Sequence, residues 1–404
     1  MPHRSTLVLL GVTSLALGQS VHDVRTGLLD LRQIDPDNNW TSIEVTIPAS
    51  SILFSETSHN RADVNVGFGS GDDLQRGIVM ASSRSRARDN ASGGGNLGSD
   101  LYATLAVARD EAGRTQWIAM HGAPSGTEMN IDAAVAWFPF EAGFIAGHAT
   151  NTANNAPLSS LVASDGLEFG DDFIDPLTTD GIYDLDLADV GGHSSSGVLL
   201  VCGGKNEDNY ALSRANADGT FTIFCKDNGS NGASYENDPV AFVYLPFTTE
   251  GLVAGRLTER SGATPIVLAG TSGFTASPEG PGRILIRIDG VESDHQGVLL
   301  VSPEGGVSRN ADNVVVASWD DALAGYLVET LDIPSMDLQG LEGEPMCSFA
   351  WIPITPGEGF DARPGTSTVV ALPDTQLYAQ NIPESFDAQT GWVASETDAR
   401  DIRM

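Results

Sequence analysis

Cysteine is scarce in this sequence. Three residues, Cys202, Cys225 and Cys347, in a chain of 404 exclude a disulfide-built scaffold and offer no Cys spacing suited to zinc. Basic residues are also few, 21 Lys and Arg against 54 Asp and Glu, for a net charge of -33. A field of that sign repels phosphate backbones, so nucleic acid is not an expected partner. The one cationic cluster, Arg84, Arg86 and Arg88, lies in a Ser-rich stretch beside Asp89. Long apolar runs are missing too, and nothing approaches the roughly 20 residues that cross a bilayer as a helix, so no membrane span is expected. The histidines at 22, 59, 121, 148, 193 and 295 form no close pair and no H-E-x-x-H.

The apolar stretch nearest the start, Leu7 to Leu17, follows His3 and Arg4 and ends in Ala16-Leu17-Gly18. A short apolar run behind positive charge, closed by small residues, reads as a secretory signal over residues 1–18. The expected location is therefore secreted, periplasmic or at the cell surface. At about 100 to 200 residues per domain, the length calls for two to four domains.

Self-comparison gives the organisation. Gly197-Val198-Leu199-Leu200-Val201, Asp208-Asn209, Asp218-Gly219 and Val240-Ala241-Phe242-Val243-Tyr244-Leu245-Pro246 form the fullest copy of a repeat. Upstream, Gly77-Ile78-Val79-Met80, Asp89-Asn90 and Ala134-Val135-Ala136-Trp137-Phe138-Pro139 follow the same order. Downstream, so do Gly297-Val298-Leu299-Leu300-Val301, Asp312-Asn313 and Phe349-Ala350-Trp351-Ile352-Pro353. A period of about a hundred residues is that of whole small domains rather than solenoid units. The short runs are rich in Val, Ile, Phe and Trp and bounded by Gly, Asn and Asp, which predicts strands and turns. Asp218-Gly219 predicts a hairpin turn. The runs ending in Pro are apolar on both faces and belong inside a sandwich. The expected fold is mainly β, with tandem antiparallel β-sandwich modules of jelly-roll-like kind over 19–150, 151–260 and 261–360, the last a full or half module. Cys202 and Cys225 align with Ser82 and Ala119, which suits either a bonded pair or two independent buried thiols.

Several polar motifs read as local structure. The Asp-Asn pairs at 89, 208 and 312 supply too few oxygens for calcium and predict Asx turns. Asp35-x-Asp37-x-Asn39 lacks the Gly and the Glu of an EF-hand loop. Gly93-Gly94-Gly95-Asn96-Leu97-Gly98 fits a dinucleotide pattern without the strand that must precede it. His193-Ser194-Ser195-Ser196 breaks the G-x-S-x-G spacing and predicts a turn.

The character changes at Thr366. A β-branched run, Ser367 to Leu372, leads into Pro373-Asp374-Thr375-Gln376, and Phe386, Thr390 and Val393 then fall at helical spacing behind Pro383 and Glu384. Strand, helix and a further strand at Asp401 predict an α/β beginning over 366–404. Val369-Val370-Ala371-Leu372-Pro373-Asp374-Thr375-Gln376-Leu377-Tyr378 with Phe386-Asp387-Ala388-Gln389-Thr390-Gly391-Trp392-Val393 resembles the opening of extracellular calcineurin-like metallophosphoesterases. The resemblance implies that Asp374 binds one ion of a two-metal centre of divalent cations, and that Gln376 stands where an Asp-x-His motif has its His. It also implies a phosphate ester as substrate. The Gly-Asp and Gly-Asn-His segments such a centre needs do not follow, so the expectation is the truncated start of a hydrolase domain, inactive by itself. An extracellular β-sandwich adhesion or glycan-binding protein is the alternative reading.

Overall fold

Short β-branched and aromatic runs punctuated by Gly and Asp form strands throughout, and the computed structural model is mainly β, with several antiparallel sheets. It describes residues 19–35, 40–46, 53–56, 64–67, 76–84, 102–109, 116–123, 132–153, 156–176, 180–204, 209–228, 234–258, 266–305, 313–332, 345–354, 368–372 and 376–380.

Three eight-stranded sandwiches follow one another. The middle module runs through Ile145–Thr150, Ser160–Ala163, Phe173–Ile174, Ile182–Leu185, Gly197–Gly204, Tyr210–Ala215, Phe221–Lys226 and Val240–Pro246. Its inner sheet has the order second, first, eighth, fifth strand, and its outer sheet third, fourth, seventh, sixth. The module from Val253–Thr258 to Pro345–Pro353 repeats both orders, and so does the module from Arg25–Asp35 to Ala133–Pro139. The third unit is thus a full module. Eight strands split four and four suit the jelly-roll-like expectation in size, while the first and second strands of each module form a hairpin within one sheet.

The sheets also move the boundaries. Ile145–Thr150 and Val253–Thr258 pair with the eighth strands of the modules that follow them, so the divisions fall after Pro139 and Pro246 rather than at 150 and 260. Each eighth strand ends at its Pro, and after Pro139 and Pro246 a short turn hands the chain to the next module. Gly143 and Gly251 take the left-handed conformation in those turns, which favours Gly over any residue with a Cβ.

The three fifth strands, Gly77–Ser83, Gly197–Gly204 and Gly297–Pro303, meet around a pseudo-threefold axis. Strand alternation explains why they are apolar on both faces. Val198, Leu200 and Cys202 face the axis, in one cluster with Ile78, Met80, Val298 and Leu300, while Leu199 and Val201 face their own module's core. That second core packs Phe173 against Phe242 and Tyr183 at centroid separations of 5.9 and 5.6 Å. The eighth strand Val240–Pro246 divides its side chains in the same way, Ala241, Val243 and Leu245 to the axial cluster and Val240, Phe242 and Tyr244 to the module's own core.

The repeated Gly that opens each fifth strand has a packing cause. A Cβ on Gly77, Gly197 or Gly297 would lie 2.5 Å from Trp137 Cε2, 2.6 Å from Tyr244 Cζ and 2.4 Å from Trp351 Cε2, respectively. Each Gly is paired with the Pro that ends the eighth strand, and the aromatic two residues before that Pro covers it.

The suggested Cys202–Cys225 bridge does not form. All three cysteines are free and buried. Cys202 points into the axial cluster and Cys225 into the core of its own module, on opposite sides of the inner sheet.

Candidate functional site

A fifth strand is the edge of its inner sheet, so half of its backbone groups need partners from elsewhere. The axis supplies them in a ring. The Ser82 hydroxyl donates to Val301 O and accepts from Val301 N, each at 2.9 Å. Ser302 accepts from Val201 N at 3.1 Å and donates to Val201 O at 3.3 Å. The Cys202 thiol completes the circuit against the backbone of Ala81. Burial pushes its pKa up to about 12, while hydrogen bonds from Ala81 and Val107 oppose the shift. Module one thus holds module three, three holds two, and two holds one. A cavity of about 50 Å³ lies at this end of the axis, lined by Ser82, Cys202, Tyr210, Val301 and Pro303 among others. That volume holds a water or two and no organic substrate.

Main chain and ion pairs continue the ring. Gly203 and Gly204 lie parallel to Ala106 and Val107 of the first module, and Gly305 N donates to Ser213 O at 2.7 Å. Arg84, read in the sequence as part of a basic cluster, is instead an inter-module tie, with Nη2 2.6 Å from Asp294 Oδ2. Arg256 grips the buried Glu304 with two hydrogen bonds, at 2.6 and 3.1 Å, and reaches Ser194 O of the middle module at 3.3 Å. Ser348 donates to the same carboxylate at 2.7 Å.

Two other polar groupings have local roles. His193 Nδ1 accepts from Ser195 N at 3.2 Å and lies 2.8 Å from Ser195 Oγ, in an exposed turn fixed by Tyr244 Oη. Its ring lies over Gly219, whose added Cβ would meet Nε2 at 2.3 Å. This is the turn the sequence predicts. Asn209, from the repeated Asp-Asn pair, behaves differently from the expected Asx turn. It is fully buried, and its amide donates to the buried Asp238 carboxylate beside Tyr183, closing one end of the middle sandwich. Asp208 and Asp312 lie outside the described residues, as do Asp89-Asn90, the 93–98 glycine run and residues 1–18.

At the C-terminal motif, Thr368–Leu372 is a strand that adds antiparallel to Trp40–Thr46, at the edge of the first module's inner sheet. Gln376–Gln380 pairs antiparallel with it, Leu372 opposite Gln376. Asp374 and the helix expected near 385–393 lie outside the described residues, and of Gln376 only the backbone is described. Among the described residues no group of three or more His, Cys, Asp or Glu is gathered where it could hold a metal ion. No described helix is long and apolar enough to cross a membrane.

Comparison with known proteins adds no family to this arrangement. No protein-family model matches the chain, and no curated protein or solved structure does.

The axial ring and the Gly-aromatic pairs are the repeated functional chemistry of the scaffold, and the alignment held a sign of the first. Ser82, Cys202 and Ser302 occupy one repeat position, five residues after the opening Gly. Three small hydrogen-bonding side chains at one position of an apolar strand point to a shared buried partner.

Proposed function

We propose that this chain is the β-sandwich front of an exported metal-dependent phosphoesterase, with three modules as a rigid platform and the hydrolase segment opening near residue 366. The observation that carries the reading is the place of the motif. The third module uses its eighth strand by Pro353, so the run from Val369 to Tyr378 lies beyond the repeated strands in the chain, although Thr368–Leu372 pairs with the edge of the first module's inner sheet. Asp374 follows the last residue of that strand, Leu372, by two positions in sequence, as the motif it resembles requires, while the next strand, Gln376–Gln380, runs antiparallel to it.

In such a centre the carboxylate of Asp374 and the side-chain carbonyl of Gln376 are hard oxygen donors for a divalent ion. Two such ions polarise a phosphoryl group and lower the pKa of a bound water. The chain's net charge of -33 opposes the approach of a phosphate ester, so capture would rest on the bound cations rather than on the protein's own field.

The test uses two chains. The 404-residue protein is expected to leave bis(p-nitrophenyl) phosphate intact. A chain extended along its gene should hydrolyse it in the presence of Mn²⁺ or Zn²⁺ and lose about 10²-fold or more in kcat with Asp374→Asn. Full activity in that variant would end the assignment.

A second reading, binding of an extracellular glycan, draws support from Trp319. This half-buried ring stands at the end of a hairpin, stacks edge-on against Tyr326 at 5.0 Å, and donates from Nε1 to Asp321 at 2.8 Å. An aromatic face held beside a carboxylate suits a sugar ring. Retention on a neutral polysaccharide column, lost in Trp319→Ala, supports it; retention unchanged by that substitution refutes it.

A further inference from the structure

The second strand of each module is the outer edge of its inner sheet. In the first module that edge is filled, because Thr368–Leu372 adds to Trp40–Thr46 with Ile43 opposite Ala371 and Val45 opposite Val369. Among the described residues the equivalent strands of the other two modules, Ser160–Ala163 and Ile266–Gly270, end their sheets. Neither contains a charged residue. Soluble proteins usually protect such an edge with Lys, Pro or a bulge; neither strand has a Lys or a Pro, and in Ile266–Gly270 the pairing skips Leu268, with Val267 opposite Leu257 and Ala269 opposite Arg256. Here the large apolar side chains that the described residues expose are Val162, Ile174, Val267 and Leu268, and three of the four stand on these two edges. The fourth is on the two-residue strand Phe173–Ile174. Val267 and Leu268 are consecutive, each 45% exposed, and stand together at the irregularity of this edge strand.

We propose that Ile266–Gly270 is an acceptor for an extended strand of a partner polypeptide, added antiparallel as Thr368–Leu372 is added to the first module. The chemistry of the partner follows from the edge and from the filled equivalent. Main-chain hydrogen bonds supply attraction without sequence preference, and alternate apolar side chains cover Val267 and Leu268. The partner strand is β-branched or aliphatic, like Thr-Val-Val-Ala-Leu, and free of acidic residues, since the protein carries a net charge of -33. The same charge disfavours a second copy of this chain as the occupant, because two such bodies repel each other. The shorter edge Ser160–Ala163, with one strongly exposed apolar side chain, offers a weaker version of the site.

The probe is a labelled peptide of residues 365–372 with two added C-terminal lysines, titrated into the full chain and followed by fluorescence anisotropy and amide exchange. One-to-one binding is expected, with new protection confined to residues 266–270. Val267→Lys with Leu268→Lys should weaken binding roughly tenfold or more, about 1.4 kcal/mol per tenfold. Ile174→Lys, on a strand too short to template pairing, should leave it unchanged. All three side chains are exposed, and far-UV circular dichroism with thermal melting shows whether each variant keeps its fold. The proposal is overturned by absence of binding, by binding that the double lysine variant does not reduce, or by protection at 40–46 instead. It is also overturned if the chain itself forms a dimer that the double variant abolishes, since the occupant is then a second copy.

Discussion

Replacing Gly297 with Ala isolates the packing argument that explains the repeat, because the backbone at this position is not strained. Gly297 has φ -171° and ψ 170°, an extended conformation any residue adopts. With nothing else changed, Ala would stabilise the protein by about 0.4–1 kcal/mol, since it leaves the unfolded chain less freedom to lose. Against that stands the Trp351 ring, with Cε2, Cζ2 and Nε1 at 2.4, 2.5 and 2.5 Å from the added methyl. Restoring ordinary contact needs a shift of about 1 Å by a rigid indole, and overpacking of that kind costs roughly 1–3 kcal/mol. The expected net effect is destabilisation by about 1–2 kcal/mol, measured by urea unfolding at fixed m value. Gly77→Ala should cost more, because its Cβ also meets the carbonyl oxygen of Phe138 at 2.5 Å, and a backbone atom cannot swing aside. A double variant adding Trp351→Leu should cost less than the two single changes together, since the leucine leaves room for the methyl. A Gly297→Ala protein as stable as the parent, or more so, would refute the reasoning.

The other predictions concern the axis, the charges and the thiols. Ser302→Ala leaves the Val201 N–H buried without its partner and should destabilise by about 1–3 kcal/mol, whereas Cys202→Ser, which keeps a donor and an acceptor, should cost less; chemical denaturation of both measures the difference. Glu304→Gln takes the charge from a pair whose side chains are 12% and 2% exposed, and should cost about 3–5 kcal/mol by the same assay. Without reductant, a thiol reagent should count no reactive Cys in the native protein and three after denaturation, because burial raises the pKa of all three thiols. The carboxyl of Asp218 is held below its ordinary 3.8 by hydrogen bonds from the Thr220 side chain and backbone, with His193 adding to them. Its contribution is therefore present above pH 3.8 and fades as the pH falls through the lowered value, which a carboxyl-detected NMR titration of the native protein against Asp218→Asn follows.

The strand-rich character and the hairpin at Asp218-Gly219 were legible in the sequence because each follows from local spacing. Gly219 has a positive φ of 102°, and Asp218 accepts from Thr220 N at 3.2 Å, as such a turn requires. The boundaries were harder to see. The first strand of each module is joined by a short turn to the last strand of the one before, so continuity along the chain groups it with the wrong sheet. Gly143-Phe144-Ile145-Ala146-Gly147 and Gly251-Leu252-Val253-Ala254-Gly255 repeat this start and carry the missing signal. Cys202 misled for a related reason. Its alignment with Ser82 is consistent with a bond to Cys225, but a side chain alternates toward the axis or toward the module, and only the meeting of three sheets decides which side is which.

That meeting also separates this molecule from beads on a string. In independent sandwiches the fifth strand would be a free edge, protected by charge or by a bulge. Here Gly203 and Gly204 pair with the first module, and hydroxyls from neighbouring modules satisfy Val201 and Val301. Val198, Leu200, Val298 and Leu300, which would face water in an isolated sandwich, form one buried cluster with Ile78 and Met80. Closure therefore consumes the fifth-strand edges of the inner sheets, and among the described residues leaves their second-strand edges as the inner-sheet edges open to addition. One of these carries Thr368–Leu372, and the other two carry exposed Val162, Val267 and Leu268. A body closed on its axis and open at its rim leaves the second-strand edge as a place for further strands, and Thr368–Leu372 occupies it in the first module.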